Sequence, residues 1–275
     1  MALTLAIGNQ KGGVGKTALV TGLTDALRNR GKTVLVVDAD PQANATAIMD
    51  IAGPQFTLND VLFSVKTPQD TGKAAGAIIS AGEGWDGIDI LPSERKLAER
   101  EKDDDIGRET RLRTALAGVS EDYDFVLIDS PPSLGALTAN ALVAADEVLA
   151  VAQPRKTAVE GLAQFVTTLA NVRAYFNPTL TIAGIVVNQF RSGRTDPEYW
   201  LDVLVEEYGE LVLQPKGLIP DREIVSQAAA AQLPVSAFGS KAVDVWVPLK
   251  HIADLMIARA EARQAGAAEG VMARG

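Results

Sequence analysis

Short apolar runs alternate along the chain with longer segments in which apolar residues recur at helical spacing. Six runs rich in Val, Ile and Leu have the composition of strands: LTLAIG at 3–8, TVLVVD at 33–38, GIDILP at 87–92, DFVLID at 124–129, EVLAVAQ at 147–153 and LTIAGIVVN at 180–188. Segments with helical spacing lie between them, at 16–31, 112–119, 137–145 and 158–176. Since nearly continuous apolar strands are buried on both faces, the pattern predicts an α/β fold: a mostly parallel twisted sheet flanked by helices on both faces.

The pattern predicts one domain. A chain of 275 residues, of which 47% are hydrophobic, can bury a single large core. We place this domain at 1–263 and expect a flexible tail at 264–275, which is rich in Ala and Gly and has no apolar stripe. The charged segment EREKDDDIGRE at 99–109 is interpreted as a solvated helix end and loop rather than a partner site.

Composition excludes several kinds of site. The chain has no cysteine and one histidine, His251, which excludes disulfides, thiolate metal sites and a histidine-rich metal site. No export signal or run of membrane-spanning length is recognised, so we expect a cytoplasmic protein without stable membrane association. The net charge of -9 disfavours indiscriminate nucleic-acid binding but is compatible with a local basic patch.

The segment GGVGKT at 12–17 follows the first predicted strand and opens a helix. Glycines let consecutive backbone N–H groups curl around phosphate oxygens, and the helix N-terminus adds favourable partial charge. Lys16 is then expected to neutralise the β- and γ-phosphates, and the Thr17 hydroxyl to ligate Mg²⁺.

Carboxylates end two other predicted strands. Asp38 and Asp40 lie at the end of the second strand, and Asp129 closes DFVLID. A buried acid at a strand end is costly unless it meets a cation or water. We therefore assign Asp129 to the Mg²⁺ shell, directly or through water, and Asp40 to orienting the attacking water. Asp38 either joins or only supports the metal shell.

Five segments, taken in order, resemble ParA-type partition ATPases of the ParA/MinD family. They are NQKGGVGKT, VDADPQANAT, DSPPSLGALTANAL, AVEGL and IPDREIVSQA, and the resemblance runs from about Leu3 to Ala258. It implies a P-loop NTPase with a deviant Walker A motif, and a Mg²⁺-dependent ATPase that is weak without an activator. In this family the lysine at the position of Lys11 reaches across an ATP sandwich dimer, whereas the one at Lys16 binds in cis.

Further nucleotide contacts follow from the same resemblance. The phosphate-binding residues would be Gly12, Gly13, Val14, Gly15, Lys16, Thr17 and Ala18. Asn188 fits an adenine contact because its amide both donates and accepts, although a turn-forming role at the strand end is the alternative. Pro220 and Asp221 lie in the loop that resembles the base pocket, and SPPSLGAL after Asp129 resembles the second switch loop, which senses the γ-phosphate.

Related ParA proteins bind DNA nonspecifically as ATP dimers. The candidate phosphate-contacting cations are Arg191, Arg194, Lys216, Arg222 and Lys241, and Arg194 matches a family DNA-contact arginine. Such contacts predict salt-sensitive, sequence-indifferent binding. The resemblance thus implies a nucleoid-associated homodimer that a ParB-type activator or cargo adaptor releases, segregating a plasmid or chromosome.

Three departures from the family pattern stand out: Ala18 in place of a frequent threonine, Ala43 in place of a frequent glycine, and Arg155-Lys156 in place of an acidic residue and aromatics. Alternatives to DNA partition are positioning of a protein cargo, a MinD-like membrane cycle and a metabolic P-loop ligase. Since the phosphate loop begins at once, without a helix-turn-helix before it, no operator-specific repressor is expected.

Overall fold

One mixed sheet organises the chain. The structure, a computed structural model, describes residues 2–272, with side chains described as far as residue 266. Within that range seven strands pair in the order β3-β4-β2-β5-β1-β6-β7. Only β3 is antiparallel to its neighbour. The predicted α/β class is confirmed. The strands are β1 (Leu3–Gly8), β2 (Val34–Asp38), β3 (Ile79–Ser80), β4 (Ile88–Leu91), β5 (Phe125–Asp129), β6 (Glu147–Ala152) and β7 (Thr181–Val187).

Helices cover both faces of the sheet. They are α1 (Lys16–Arg28), α2 (Asn44–Ile48), α3 (Leu58–Ser64), α4 (Arg111–Leu116), α5 (Ala136–Ala144), α6 (Lys156–Tyr175), α7 (Thr195–Tyr208), α8 (Glu223–Ala230) and α9 (Val243–Met272), with short 3₁₀ segments between some of them. In the part of the chain that the structure describes, no helix is long and apolar enough to cross a membrane. The sequence pattern did not predict α2, α3, α7, α8 and β3. Four of these span at most eight residues, too few turns or alternations to show a period.

Strand β1, in the interior of the sheet between β5 and β6, is buried on both faces. Leu3, Leu5 and Ile7 of β1 belong to the core under α1 and α9, whereas Ala6 belongs to the core under α5 and α6. Because side chains alternate between faces that are both dry, the strand has an unbroken apolar sequence.

The last helix is tied to the sheet by two ion pairs. Arg259 makes a bidentate pair with the buried Glu147 of β6, at 2.6 and 3.1 Å, and Arg263 pairs with Asp146 at 2.7 Å. The backbone of α9 remains helical through Met272. The domain limit at 263 and the flexible tail from 264 stay predictions, and residues 273–275 lie outside the described residues.

The charged segment at 99–109 lies at the surface, where each of its residues is partly or fully exposed. Residues Arg95–Lys102 form a 3₁₀ helix. Arg100 pairs with Asp103 at 3.2 Å, and Arg111, which is 4% exposed, pairs with both Asp103 and Asp105. The buried Arg111 thus holds acidic side chains of the segment against the domain. The interpretation of the segment as a solvated helix end and loop, rather than a partner site, stays a prediction.

Gly8 ends β1 against a buried aromatic ring, and we expect Gly8→Ala to be destabilising. A Cβ at position 8 would lie 2.3 Å from Cζ of Phe165, whose side chain is 1% exposed. Overpacking of this kind lowers the free energy of unfolding by about 1–3 kcal/mol. Urea denaturation of wild type and variant measures the difference.

Phe165→Leu in the Gly8→Ala background tests the cause. The smaller side chain makes room for the added methyl group, so the two effects should be non-additive by at least about 0.5 kcal/mol. Gly76→Ala is the matched control because a Cβ there meets nothing within 4 Å. Strict additivity of the two substitutions would contradict the steric explanation.

Candidate functional site

A glycine-rich loop joins β1 to α1 at the carboxyl edge of the sheet. Gly13 and Gly15 have left-handed φ values of 75° and 90°, which glycine adopts without strain. Gly15 caps α1, which begins at Lys16. The predicted residues 12–18 therefore form one turn that presents backbone N–H groups at a helix N-terminus, a geometry suited to phosphate. Nucleotide contact by these residues stays a prediction.

Asn188 holds this loop from the end of β7. Its Nδ2 donates to the carbonyl oxygen of Val14 at 2.9 Å, and a Cβ on Gly15 would lie 2.0 Å from the same nitrogen. Glycine is thus required at 15 by close approach as well as by φ. The Asn188 side-chain amide therefore donates at least one hydrogen bond within the protein. The contact of Asn188 with adenine stays a prediction.

Lys16 is buried, with 7% of its surface exposed. Its Nζ donates to the carbonyl oxygen of Lys11 at 3.2 Å. Burial lowers the pKa of the Lys16 ammonium, and the carboxylates of Asp129 and Asp40 oppose that shift. The cation is therefore already desolvated where phosphate would bind.

Thr17 and Asp129, which the sequence assigned to the metal shell, lie in contact. Thr17 Oγ1 donates to Asp129 Oδ2 at 2.7 Å, and Asp129 Oδ1 is buried without a hydrogen-bond partner. Burial raises the pKa of Asp129, and the charge of Asp38 raises it further. An orphaned carboxylate oxygen beside a hydroxyl fits Mg²⁺, which prefers oxygen ligands and would relieve both effects.

Asp38 is engaged by the protein on both carboxylate oxygens. Oδ1 accepts from the backbone N–H of Asp40 at 3.2 Å, and Oδ2 accepts from the N–H and the hydroxyl of Thr46 at 2.8 and 2.7 Å. Burial raises the pKa of Asp38, and these three donors oppose the shift. The arrangement favours the supporting role over direct coordination.

Asp40 is 8% exposed and is held by its own turn and by the loop that follows β4. Its Oδ1 accepts from Gln42 N at 2.9 Å, and its carbonyl oxygen accepts from Ser93 Oγ at 2.8 Å. Ser93 N in turn donates to Thr46 Oγ1 at 2.9 Å. Asp38, Thr46, Ser93 and Asp40 thus form one buried network. The role of Asp40 in orienting water stays a prediction.

Sequence reasoning missed the residues of this supporting network. Ser93 lies two residues after the end of β4, so its position near the carboxyl edge was a usable signal. Thr46 closes the quoted segment VDADPQANAT, but its contact with Asp38 depends on the fold of α2 and has no mark in the sequence pattern. Asn9 was also missed: its Oδ1 accepts from Lys11 N at 3.0 Å, and its Nδ2 donates to the carbonyl oxygen of Val151 at 2.6 Å.

Lys11 is exposed, unlike Lys16. Its aliphatic stem lies along α6, where a Cβ on Gly161 would be 2.6 Å from Lys11 Cγ. In the described part of the chain no carboxylate lies within 4 Å of its ammonium. The loop thus carries one buried lysine and one that faces solvent.

Two loops meet beside Asn188. Pro220 and Phe190 form an isolated parallel β-bridge, and Asp221 N donates to the carbonyl oxygen of Phe190 at 3.1 Å. The Asp221 carboxylate accepts from Arg191 Nε at 2.7 Å. The predicted base-pocket residues are therefore adjacent to Asn188 in space, and their contact with a base stays a prediction.

The five cations predicted to bind DNA are all exposed but differ in pairing. Arg191 pairs with Asp221, and Arg222 pairs with Asp244 at 3.0 Å. Arg194, Lys216 and Lys241 have no ion pair with any side chain that the structure describes. Their contact with DNA stays a prediction.

The departures from the family pattern lie around the site. Ala43 has a left-handed backbone with φ of 55°, a conformation that favours the glycine of the pattern. Ala18 is partly exposed in the first turn of α1. Arg155 and Lys156 are exposed at the start of α6, on the helix that Lys11 contacts.

Comparisons with known proteins agree in covering most of the chain. A protein-family model described as an AAA domain matches residues 2–182. The chromosome partitioning protein ParA of Caulobacter vibrioides is 36% identical over 270 residues, which make up 96% of this chain and 97% of that protein. The sporulation initiation inhibitor protein Soj of Bacillus subtilis is 35% identical and covers 90% of this chain and 97% of its own length.

A solved structure is similar as well. Cobyrinic acid a,c-diamide synthase from Mycobacterium smegmatis, crystallised with ADP and magnesium, superposes with a TM-score of 0.71 at 35% identity. The match covers 84% of this chain and 91% of that one.

Thr46→Val should destabilise the protein through the buried network. The substitution removes the hydroxyl donor to Asp38 and the acceptor of Ser93 N, and leaving buried polar groups unpaired costs about 1–3 kcal/mol. Urea denaturation measures the loss. Thr46→Ser keeps the hydroxyl and is the control. If both variants were equally stable, the hydroxyl and its hydrogen bonds would not contribute to stability.

Proposed function

Because the chain belongs to the ParA/MinD family of P-loop ATPases, as a ParA-type partition ATPase, we propose that it hydrolyses ATP in a dimer that binds DNA nonspecifically. The observation that carries this proposal is the contrast between its two loop lysines. Lys16 is buried beside Asp129 and Asp40, whereas Lys11 is exposed on the same loop. A buried cation suits a nucleotide bound in cis, and an exposed one suits phosphates on a partner subunit.

ATP and Mg²⁺ are the cofactors. Thr17 and Asp129 would hold Mg²⁺, which supplies charge neutralisation to the phosphates when bound. Asp38 keeps the Asp40 loop in place through its contacts with Asp40 N and Thr46. Asp40 would orient the attacking water. Dependence of the activity on Mg²⁺ and a low rate without an activator are part of the proposal.

In this proposal, the attraction between Lys11 and the partner's phosphates makes dimer formation depend on ATP. The chain carries a formal charge of -9, so two copies repel each other at long range. Lys11 would meet the partner's nucleotide phosphates at the interface, and its attraction strengthens as water is excluded. ATP would therefore stabilise the dimer, and loss of the γ-phosphate would weaken it.

The exposed cations supply the DNA contact. Arg194, Lys216 and Lys241, which lack ion pairs in the described part of the chain, are the strongest candidates. Arg191 and Arg222 would first have to give up Asp221 and Asp244. A ParB-type activator or cargo adaptor would trigger hydrolysis and release from the nucleoid.

Three other functions remain distinguishable. A MinD-like membrane cycle requires ATP-dependent binding to liposomes. Positioning of a protein cargo requires the same DNA-bound dimer with a different adaptor. A metabolic P-loop ligase requires phosphate release that depends on a small carboxylate substrate and ignores DNA; the Mycobacterium smegmatis structure bears the name of a diamide synthase.

The two lysines should separate in nucleotide binding and dimerisation. We expect Lys16→Ala to lose binding of a fluorescent ATP analogue by at least about tenfold, because a charge-assisted contact contributes about 1.5–3 kcal/mol. Lys11→Ala should bind the analogue nearly as wild type but fail to dimerise with it. Fluorescence anisotropy and light scattering measure the two properties. Equal loss of analogue binding in both variants would contradict a division of roles.

Arg194→Ala should weaken ATP-dependent DNA binding while dimerisation persists. Loss of one phosphate contact should also lower the slope of log affinity against log salt by about one. Binding to a long nonspecific duplex with ATP, ADP and no nucleotide measures this. Lys32→Ala is the control, since it removes the same charge just before β2, at the opposite edge of the sheet. A dimer that ignores DNA at low salt would contradict the proposal.

A further inference from the structure

The loop after Asp129 leads into a helix that has no cap of its own. Residues 130–135 join β5 to α5, and α5 begins at Ala136 behind Gly135. Gly135 has no side chain to accept from the first N–H groups of the helix. Those groups need a partner from another part of the chain.

Glu101 supplies that partner. Its Oε2 accepts from Ala136 N at 2.6 Å, and its Oε1 accepts from Ser133 Oγ at 3.2 Å. A carboxylate is favoured at this end of a helix, where the N–H groups carry positive partial charge. One side chain thus fixes the loop and the first turn of α5 together.

Gly135 leaves the space that Glu101 fills. A Cβ at position 135 would lie 1.9 Å from Glu101 Oε2 and 2.5 Å from its Cδ. The φ of Gly135 is -84°, which any residue adopts. Glycine is therefore required here by the approach of the carboxylate and not by the backbone conformation.

The start of the loop is bonded to β1, and Pro132 lies close to Gly12 of the phosphate loop. Ser130 Oγ donates to the carbonyl oxygen of Ile7 at 2.7 Å, and a Cβ on Gly12 would lie 3.8 Å from Pro132 Cβ. The start of the loop is therefore fixed by β1, and its end by Glu101. Two prolines between these points restrict the backbone, so a change at one end is passed along the loop.

Glu101 belongs to a charged segment, residues 95–111, which we call the strap. Asn140 of α5 donates to the carbonyl oxygen of Arg108 at 2.9 Å and accepts from Leu112 N at 3.0 Å. Arg111 pairs with Asp103 within the strap. Since the strap is hydrogen-bonded to α5, the Glu101 carboxylate is held at the start of that helix.

We propose that Glu101 is a positioning residue for ATP turnover: it holds loop 130–135 against the phosphate loop so that the loop's main-chain groups are in place during hydrolysis. It acts through Ser133 and Ala136 rather than on the nucleotide. This inference rests on the proposed ATPase function. It predicts a loss in kcat without a matching change in KM, because Lys16 and Thr17 are untouched.

Glu101→Ala should lower kcat by at least about tenfold and leave KM for ATP within about twofold, since the two hydrogen bonds from Ala136 N and Ser133 Oγ to a charged group are lost. Amide hydrogen exchange at residues 133–138 should become about tenfold faster for the same reason. Glu101→Gln should recover part of both effects because it keeps an acceptor. Gly135→Ala should reproduce them by displacing the carboxylate.

Glu99→Ala is the matched control. Glu99 lies on the same 3₁₀ helix, its side chain is 66% exposed, and it pairs with Arg100 at 3.4 Å. Unchanged amide exchange in Glu101→Ala would contradict the claim that Glu101 holds residues 133–138. Faster exchange with an unchanged kcat would contradict its role in turnover. Wild-type turnover tests the ATPase function separately, and the exchange comparison can be read even in a chain that does not hydrolyse ATP.

Discussion

The site is built around two buried carboxylates at neighbouring strand ends. Asp38 and Asp129 are register partners on β2 and β5, and they are 0% and 1% exposed. Burial and mutual repulsion both disfavour the charged forms, and each pKa unit of such a shift corresponds to about 1.4 kcal/mol. Asp38 is compensated by three protein donors, whereas Asp129 keeps one oxygen without a partner. The unfavourable charge is thus concentrated at Asp129, which is why we propose that residue for the divalent cation.

This constraint also shows which parts of the site were predictable. Asp129, Asp38 and Lys16 end strands or open a helix, so sequence position alone placed them at one edge of the sheet. Thr46 donates to the Asp38 carboxylate, and Ser93 donates to Thr46 and to the carbonyl oxygen of Asp40, so their contacts join α2 to the loop after β4. A hydrogen bond between two loops leaves no period in the sequence. The supporting network was missed for that reason, whereas the groups that it supports were not.

Surface charge was harder to read from the sequence than the core was. The strands were recognised because burial on both faces demands a continuous apolar composition. An arginine has no such mark: Arg111 is buried among aspartates, Arg191 is paired on the surface, and Arg194 stands free of ion pairs in the described part of the chain. Pairing is decided by which loops tertiary structure brings together. Counting charges therefore indicates a patch without identifying the cations that are available to a polyanion.

The two loop lysines differ because dielectric surroundings set what a cation can do. At 4 Å, a pair of unit charges interacts by about 1 kcal/mol in water and about 4 kcal/mol at an effective dielectric constant of 20. Lys16, buried at the start of α1, is in the second regime before any ligand arrives. Lys11 is exposed, with its stem on Gly161 and its backbone held by Asn9. It would enter that regime where another surface covered it, so in the proposed dimer its contribution would depend on assembly in a way that the contribution of Lys16 would not.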